Sequence, residues 1–255
     1  MARRRPIKRL LENQSKENGY GRAEIIEKPN QLEHLLWSAS RGGTGKRNVA
    51  LIWFLFGSGT RINETCHIKV KDLYHQNGEL KTVFAIPASY TKTNHSRAVY
   101  ILLEPHRNAL EQWRQQRIEE GAMTSGDGSY GGLSGDSPLF LARNGKRWQT
   151  LAFRDKKYLT AEGETKTTKV CGSMENLMRK LFKGAGLQNG SSHSGRRTLA
   201  SWLDRKGYSL ELIQLILDHK SPDMTLRYIE PYQDRIETAF KSLWKGVKLP
   251  KYEDE

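Results

Sequence analysis

The sequence predicts an α+β fold that is mainly helical and includes one small antiparallel β-hairpin. Several segments repeat apolar residues at helical spacing, and the longest apolar run, 49–56, is closed by glycines. Segments 80–86 and 98–102 are instead rich in β-branched and aromatic residues and flank a polar stretch, which is typical of a hairpin. With 255 residues, the chain can bury one large core or two small ones.

The first part of the chain shows recognisable helix ends. The buried helix over 49–56 is predicted to end at Gly57 or Gly59, and Thr60 is predicted to cap a short helix that follows. Arg61 therefore lies beside a helix N-terminus, which is a natural site for an anion.

The remaining elements follow from caps and periodicity. A first helix is predicted to begin at Asn30, and a later one at Pro105 to run to about Glu120. A glycine-rich mobile loop is expected over 121–137. The further predicted helices are 173–183, 193–206, 209–218 and 222–229.

Charge favours a polyanionic partner. The chain has 42 Lys and Arg against 28 Asp and Glu, which leaves a formal charge of +14. Such an excess attracts nucleic acid through phosphate contacts, although a basic solvated surface or contact with an anionic membrane would give the same number.

Two compositional features bear on the compartment. No apolar run approaches the roughly 20 residues of a membrane span, and the basic N-terminus lacks the apolar core of a secretory signal, so a cytoplasmic protein is expected. Cys66 and Cys171 are far apart and lack metal-ligand spacing around them, so they are interpreted as reduced, packed thiols.

Four polar residues near the C-terminus could carry chemistry. His193 and Arg196 would share one helix face and could converge on a phosphate, or His193 could cap the helix beside a solvated arginine. His219 ends an apolar segment, and Tyr228 follows nine residues later, where it could also serve only in packing.

Taken in order, these segments resemble the tyrosine recombinase, or lambda-integrase, family. The resemblance covers roughly residues 30–240. It rests on a first arginine box at Gly59-Thr60-Arg61-Ile62-Asn63-Glu64 with Val70-Lys71-Asp72-Leu73, a hairpin lysine at Thr91-Lys92-Thr93 before Arg97-Ala98-Val99, a second box at His193-x-x-Arg196, and a third box at His219 and Tyr228.

The resemblance implies a DNA strand-exchange site. Tyr228 would attack a phosphodiester and form a 3′-phosphotyrosyl bond, while Arg61 and Arg196 would stabilise the extra charge on the phosphorane-like state. His193 would accept the phenolic proton, and His219 would donate to a non-bridging oxygen.

Two further residues complete this expected site. Lys92, near the hairpin tip, would protonate the departing 5′-oxygen, unless it is an ordinary solvated loop lysine. Glu64 would orient Arg61 or another basic side chain. No metal and no cofactor are expected, because the arginines supply the charge stabilisation and the covalent bond stores the energy for rejoining.

The predicted organisation is a basic flexible arm over 1–28 and a catalytic domain over 29–245. The chain thus resembles a short form that lacks the family's usual N-terminal DNA-gripping domain. An amphipathic tail within 230–255 would pack on its own core or on a neighbouring protomer; its apolar residues are Ile236, Ala239, Phe240, Leu243 and Trp244.

The expected partners are duplex DNA with specific recombination sites, further copies of the chain in a four-subunit assembly, and accessory DNA-bending proteins. A bacterial, phage or plasmid setting is implied, with integration, excision, inversion or dimer resolution as possible outcomes. The alternatives are a type IB topoisomerase-like enzyme and a non-catalytic DNA-binding regulator. Residues expected to contact DNA are Arg3, Arg4, Arg5, Lys8, Arg9, Arg97 and Arg197.

Overall fold

The computed structural model of the chain describes residues 23–91, 95–159 and 163–229. Helices dominate its regular structure, and the predicted fold class is confirmed. The helices are α1 Pro29–Ala39, α2 Gly45–Ser58, α3 Ile62–His67, α4 Val70–Leu73, α5 Glu104–Glu119, α6 Gly172–Gly184, α7 Ser194–Arg205, α8 Leu210–Leu217 and α9 Pro222–Leu226, with short helical turns at Ala88–Tyr90 and Ser129–Gly132.

The strands are β1 Val83–Ile86, β2 Arg97–Tyr100, β3 Ala142–Asn144, β4 Arg147–Gln149, β5 Arg154–Leu159 and β6 Thr165–Val170. They form three separate two-stranded antiparallel sheets. The predicted hairpin is confirmed as β1 paired with β2, with Ile86 opposite Arg97. The hairpins β3–β4 and β5–β6 were not predicted, because their strands are short or charged and lack an apolar alternation.

Helix α2 lies at the centre of the main core and packs against both α5 and α7. Gly195 lets α7 approach closely, because a Cβ at this position would lie 2.9 Å from the Phe56 ring and 3.0 Å from the Leu55 carbonyl. The close approach brings the N-terminus of α7, with the second arginine box, beside the end of α2.

A second, smaller apolar cluster joins α7 and α8 to the residues that follow α9. Ala200 of α7 packs with Ile213 and Leu217 of α8, and Tyr228 lies against this cluster. Ser209 and Ser221 cap α8 and α9 through their hydroxyls, and Pro222 occupies the first position of α9, as predicted.

Residues 23–28 correct the predicted flexible arm. Ile26 is fully buried; its amide donates to Thr198 Oγ1 at 2.9 Å, and its carbonyl accepts from Trp202 Nε1 at 2.8 Å. The folded domain therefore begins before residue 29. Helix α1 likewise begins at Pro29 rather than after Asn30, since proline suits the first helical turn.

The segment 121–137 was predicted as a mobile loop, and this prediction is wrong about its packing. Arg117 of α5 is fully buried beneath it and donates to Ser137 Oγ at 2.8 Å and to the Ala122 carbonyl at 3.2 Å. The two cysteines are free and buried, as predicted. Among the described residues, no helix combines the length and apolar character needed to cross a membrane.

Candidate active site

The junction between α2 and α3 positions the first arginine. Gly59 ends α2 in the left-handed conformation with φ +62°, and Arg61 is the N-cap of α3. Glu64 Oε2 accepts the Arg61 amide at 3.0 Å, while Arg61 Nη1 donates to Glu64 Oε1 at 2.7 Å. Thr60, predicted as the cap, is instead buried, with its hydroxyl 2.9 Å from that of Thr65. Both ends of Arg61 are therefore held by Glu64.

Glu64 also binds a second arginine from the hairpin. Arg97 Nη2 donates to Glu64 Oε2 at 2.7 Å, and both side chains are almost fully buried, at 3% and 2% exposed. Burial by itself would raise the pKa of Glu64, but the guanidinium groups of Arg97 and Arg61 outweigh it and lower the pKa to about 2. Glu64 is therefore ionised at neutral pH, and the predicted contact with Arg61 is present.

Arg97, which was expected to contact DNA, is 6% exposed. The side chain lies beneath the site and pairs with Glu64, so it is not on an exposed surface. Arg97 Nε and Nη1 are buried without a hydrogen-bond partner among the described residues. A buried cation next to Arg61 contributes positive potential to the site.

Arg196 connects segments that are distant in sequence. It is 1% exposed, its Nη1 donates to the Gly59 carbonyl at 2.5 Å, and its Nη2 donates to the Leu217 carbonyl. Burial, followed by the charges of Arg61 and Arg97, lowers the pKa of Arg196 to about 9, so the group remains cationic at neutral pH. These contacts fix Arg196 between the end of α2 and the end of α8.

His219 and Tyr228 lie beside this guanidinium. Their rings are 4.8 Å apart, and the Arg196 Cζ is 5.5 Å from the centre of the Tyr228 ring. His219 Nδ1 is 2.9 Å from Thr225 Oγ1, whereas its Nε2 is buried with no partner in the described part of the chain. Burial, with the charges of Arg196 and Arg61, lowers the pKa of His219 to about 3.

His193 is the N-cap residue of α7 and retains solvent access. Partial desolvation by the surrounding protein, together with the charges of Arg196 and Arg61, lowers its pKa. In the free protein the imidazole is therefore neutral at pH 7, which is the form that can accept a proton.

Arg197, which was also expected to contact DNA, lies between α7 and the N-terminal segment. It is 6% exposed, and its Nη1 donates to the Ala23 carbonyl, so it ties the N-terminal segment to α7. Several predicted site residues lie outside the described residues, namely Lys92, the arm residues Arg3, Arg4, Arg5, Lys8 and Arg9, and the tail 230–245.

Sequence reasoning missed one polar side chain and one backbone carbonyl of the site. Thr225 is fully buried and orients His219, and the backbone carbonyl of Gly59 holds Arg196. Thr225 lies three residues before Tyr228, one turn earlier in the chain, and this spacing is the signal that could have identified it.

The chain is similar in sequence to known proteins. The chain matches the Phage integrase family model over residues 28–235. Tyrosine recombinase XerC of Rickettsia bellii is 26% identical over 194 residues, which are 76% of this chain and 50% of XerC. Type 1 fimbriae regulatory protein FimE of Escherichia coli is 22% identical over 224 residues, which are 86% of this chain and 90% of FimE. The chain spans about half the length of the XerC relatives it matches.

Solved structures show the same fold. The XerH site-specific recombinase, in a post-cleavage complex with palindromic difH substrate, has a TM-score of 0.59 at 22% identity over 88% of this chain and 54% of that chain. The XerA recombinase has a TM-score of 0.58 at 19% identity over 99% of this chain and 68% of that chain. The family match over most of the chain, together with this fold, shows that the chain belongs to the phage integrase family, among whose members are tyrosine recombinases.

Proposed function

We propose that the chain cuts and rejoins duplex DNA at specific sites through a covalent 3′-phosphotyrosyl intermediate on Tyr228. The observation that carries this proposal is the convergence of the Arg196 guanidinium and the His219 ring on the ring of Tyr228. The XerH structure in a post-cleavage complex supports a DNA substrate.

In the proposed reaction, Arg61 and Arg196 bind the non-bridging oxygens of one backbone phosphate. Guanidinium groups stay charged and can donate two hydrogen bonds at once, so they stabilise the phosphorane-like state more than the ground state. Arg61 keeps 22% of its side chain exposed, which leaves part of its guanidinium open to an incoming phosphate.

His219 is suited to recognising the same phosphate. Its buried Nε2 lacks a partner among the described residues, while Thr225 holds the opposite ring nitrogen. A bound phosphate would supply the missing partner and raise the low pKa of His219 toward the protonated, donating form. Before phosphate binds, the His219 ring is thus already oriented to form a hydrogen bond through Nε2.

The chemical step forms one bond and breaks one. The Tyr228 oxygen bonds to phosphorus while His193 accepts its proton, and the 5′-oxygen leaves with a proton from Lys92. Rejoining is the reverse step with a different 5′-hydroxyl, so the phosphotyrosyl bond conserves the energy. The roles of His193 and Lys92 in these transfers are part of the proposal.

Strand exchange between two sites requires several copies of the chain. Leu212 and Leu215 of α8 are 38% and 75% exposed and Leu226 of α9 is 54% exposed, so α8 and α9 present an apolar surface, and Leu215 lines one hollow with His219. We propose that the apolar residues of the tail within 230–255 of a neighbouring copy cover this surface in a four-subunit complex on DNA. Accessory DNA-bending proteins and bacterial, phage or plasmid DNA in the cytoplasm complete the proposed setting.

Covalent capture tests the proposal even though the DNA site is unidentified. The protein is incubated with a duplex library that has a random centre and a nick in the scissile strand, and adducts that survive denaturation but not protease are sequenced. Capture of a common sequence by the wild type, and none by Tyr228→Phe, is expected. Capture that persists in Tyr228→Phe would refute the nucleophile.

A second assay separates recombination from simple relaxation of supercoils. Plasmids that carry one or two copies of the captured sequence are incubated with the protein. Recombinant products that require two copies are expected. Efficient relaxation of a one-site plasmid without recombinants from the two-site plasmid would favour the topoisomerase-like alternative.

A further inference from the structure

The β5–β6 hairpin is a basic ribbon that contributes little to the core. Its strands pair over all six positions, from Arg154 opposite Val170 to Leu159 opposite Thr165. Leu159 is 70% exposed, and Val170 at the base is buried. A two-stranded hairpin without a packed face is marginally stable in water, so core packing does not account for this one.

The exposed charges of the ribbon are mostly positive. Lys156, Lys157 and Lys169 are exposed, and Asp155 is the one acid within the two strands. Successive strand residues point to opposite faces, so Lys156 lies on one face, and Lys157 and Lys169 lie on the other. Both faces of the ribbon therefore carry cations.

Ring packing anchors the base of the ribbon beside the candidate active site. The Phe153 ring lies 4.4 Å from that of His67, which in turn stacks on Tyr90 at 5.6 Å. The Cys171 amide donates to Asn63 Oδ1 at 3.1 Å. Asn63 and His67 belong to α3, whose N-cap is Arg61, so the ribbon starts within two helical turns of the first arginine.

We propose that the β5–β6 ribbon enters a groove of duplex DNA next to the cleaved phosphate and contacts the phosphates through Lys156, Lys157 and Lys169. This inference rests on the proposed DNA substrate and adds a second contact region to it. The major groove is about 12 Å wide and admits a two-stranded ribbon, and six paired residues reach about 20 Å. Phosphates line both walls of a groove, which matches cations on both faces of the ribbon.

The test compares charge variants in binding to a random-sequence duplex and to the captured site across a range of salt concentrations. The triple variant Lys156→Gln, Lys157→Gln and Lys169→Gln is expected to bind roughly tenfold or more weakly at low salt, and the slope of log K against log salt to fall by up to about 2.7. The triple Lys-to-Arg variant keeps the charges and is expected to restore both.

Asp155→Asn provides a control of opposite sign. It removes the acid opposite Lys169 without touching a lysine, so it is expected to tighten binding to the duplex. The changed side chains are exposed, and circular dichroism and thermal unfolding of each variant should match the wild type.

The outcomes separate this inference from the proposed function. If the wild type captures DNA and the Gln variants bind the duplex with unchanged affinity and salt slope, the ribbon contact would be overturned. The proposed chemistry would be unaffected. If the wild type binds the duplex but never captures it, and the Gln variants bind the duplex more weakly, the proposed chemistry would be refuted and the ribbon contact with DNA would stand. Gln variants that bind one half-site normally but lose cooperative binding of a second copy would assign the ribbon to a protein interface and overturn the DNA contact.

Discussion

The guanidinium carbon of Arg196 lies 5.5 Å from the centre of the Tyr228 ring. The two residues come from the second and third boxes, and Tyr228 packs against the small apolar cluster of α7 and α8, the helix of Arg196 and its neighbour. Arg196 also donates a hydrogen bond to the carbonyl of Gly59, two residues before Arg61. The Arg196 side chain therefore contacts both Tyr228 and the segment that holds Arg61. A change at one member of this connected set should therefore affect the others.

The two arginines should respond differently to replacement by lysine. Arg61→Lys is expected to slow covalent capture by about 10²- to 10³-fold with little loss of stability, because the side chain is partly exposed. Arg196→Lys is expected to slow capture as much and also to destabilise the fold by about 1–3 kcal/mol, since its buried contacts to two carbonyls are lost. Single-turnover capture and urea unfolding measure the two effects, and a fully active Arg61→Lys would contradict the assigned role.

The ion pairs of Glu64 with Arg61 and Arg97 should make the free energy of unfolding depend on pH in the acidic range. The pKa of Glu64 falls from 4.5 to about 2 on folding, so its contribution is present above pH 4.5 and is lost as the pH falls toward 2. Glu64→Gln is expected to be less stable than the wild type at neutral pH by a difference on the order of 3 kcal/mol. Urea unfolding of both proteins should show this difference shrinking between pH 4.5 and 2, and a constant difference would argue against the ionised pair.

His219 should remain neutral well below the usual range of histidine. Its pKa is lowered from 6.5 to about 3 by burial and by the nearby arginines. Its contribution to stability is therefore present above pH 6.5 and is lost as the pH falls toward 3. In ¹⁵N-resolved NMR spectra of the free protein, the His219 ring is expected to show no titration between pH 8 and 5, with His219→Gln used for assignment. A midpoint near 6.5 would show that the ring is solvated.

Gly59 should tolerate a side chain poorly. It has φ +62°, and a Cβ there would lie 2.9 Å from the side chains of both Leu199 and Leu217. Gly59→Ala is expected to be destabilised by about 1–3 kcal/mol and to capture DNA more slowly, because the Gly59 carbonyl holds Arg196.

Gly186→Ala is the matched control for that backbone effect. Gly186 has φ +78°, but a Cβ there would have no neighbouring atom within 4 Å, so its substitution introduces the strain of the left-handed region without the clash. Thermal unfolding is expected to rank Gly59→Ala as the less stable variant. Equal losses for the two variants would show that the contacts with Leu199 and Leu217 are unimportant.

Much of the local structure could be predicted because its causes are local. Apolar spacing predicted α2, α6, α7 and α8, β-branched residues predicted the β1–β2 hairpin, and serine caps with Pro222 predicted α9. The resemblance to the tyrosine recombinase family predicted that Arg196, His219 and Tyr228 would meet, and in the structure they do.

The chain alone thus determined the class of fold, the starts of α7, α8 and α9 and, through the family resemblance, the identity of the residues that converge there. Tertiary structure decided which cations are buried and which are exposed: Arg97 is buried against Glu64 and Arg197 beside the Ala23 carbonyl, while Lys156, Lys157 and Lys169 of β5–β6 are exposed. The physical reason is that the burial of a charged side chain depends on partners far away in sequence, and neither composition nor periodicity contains that information.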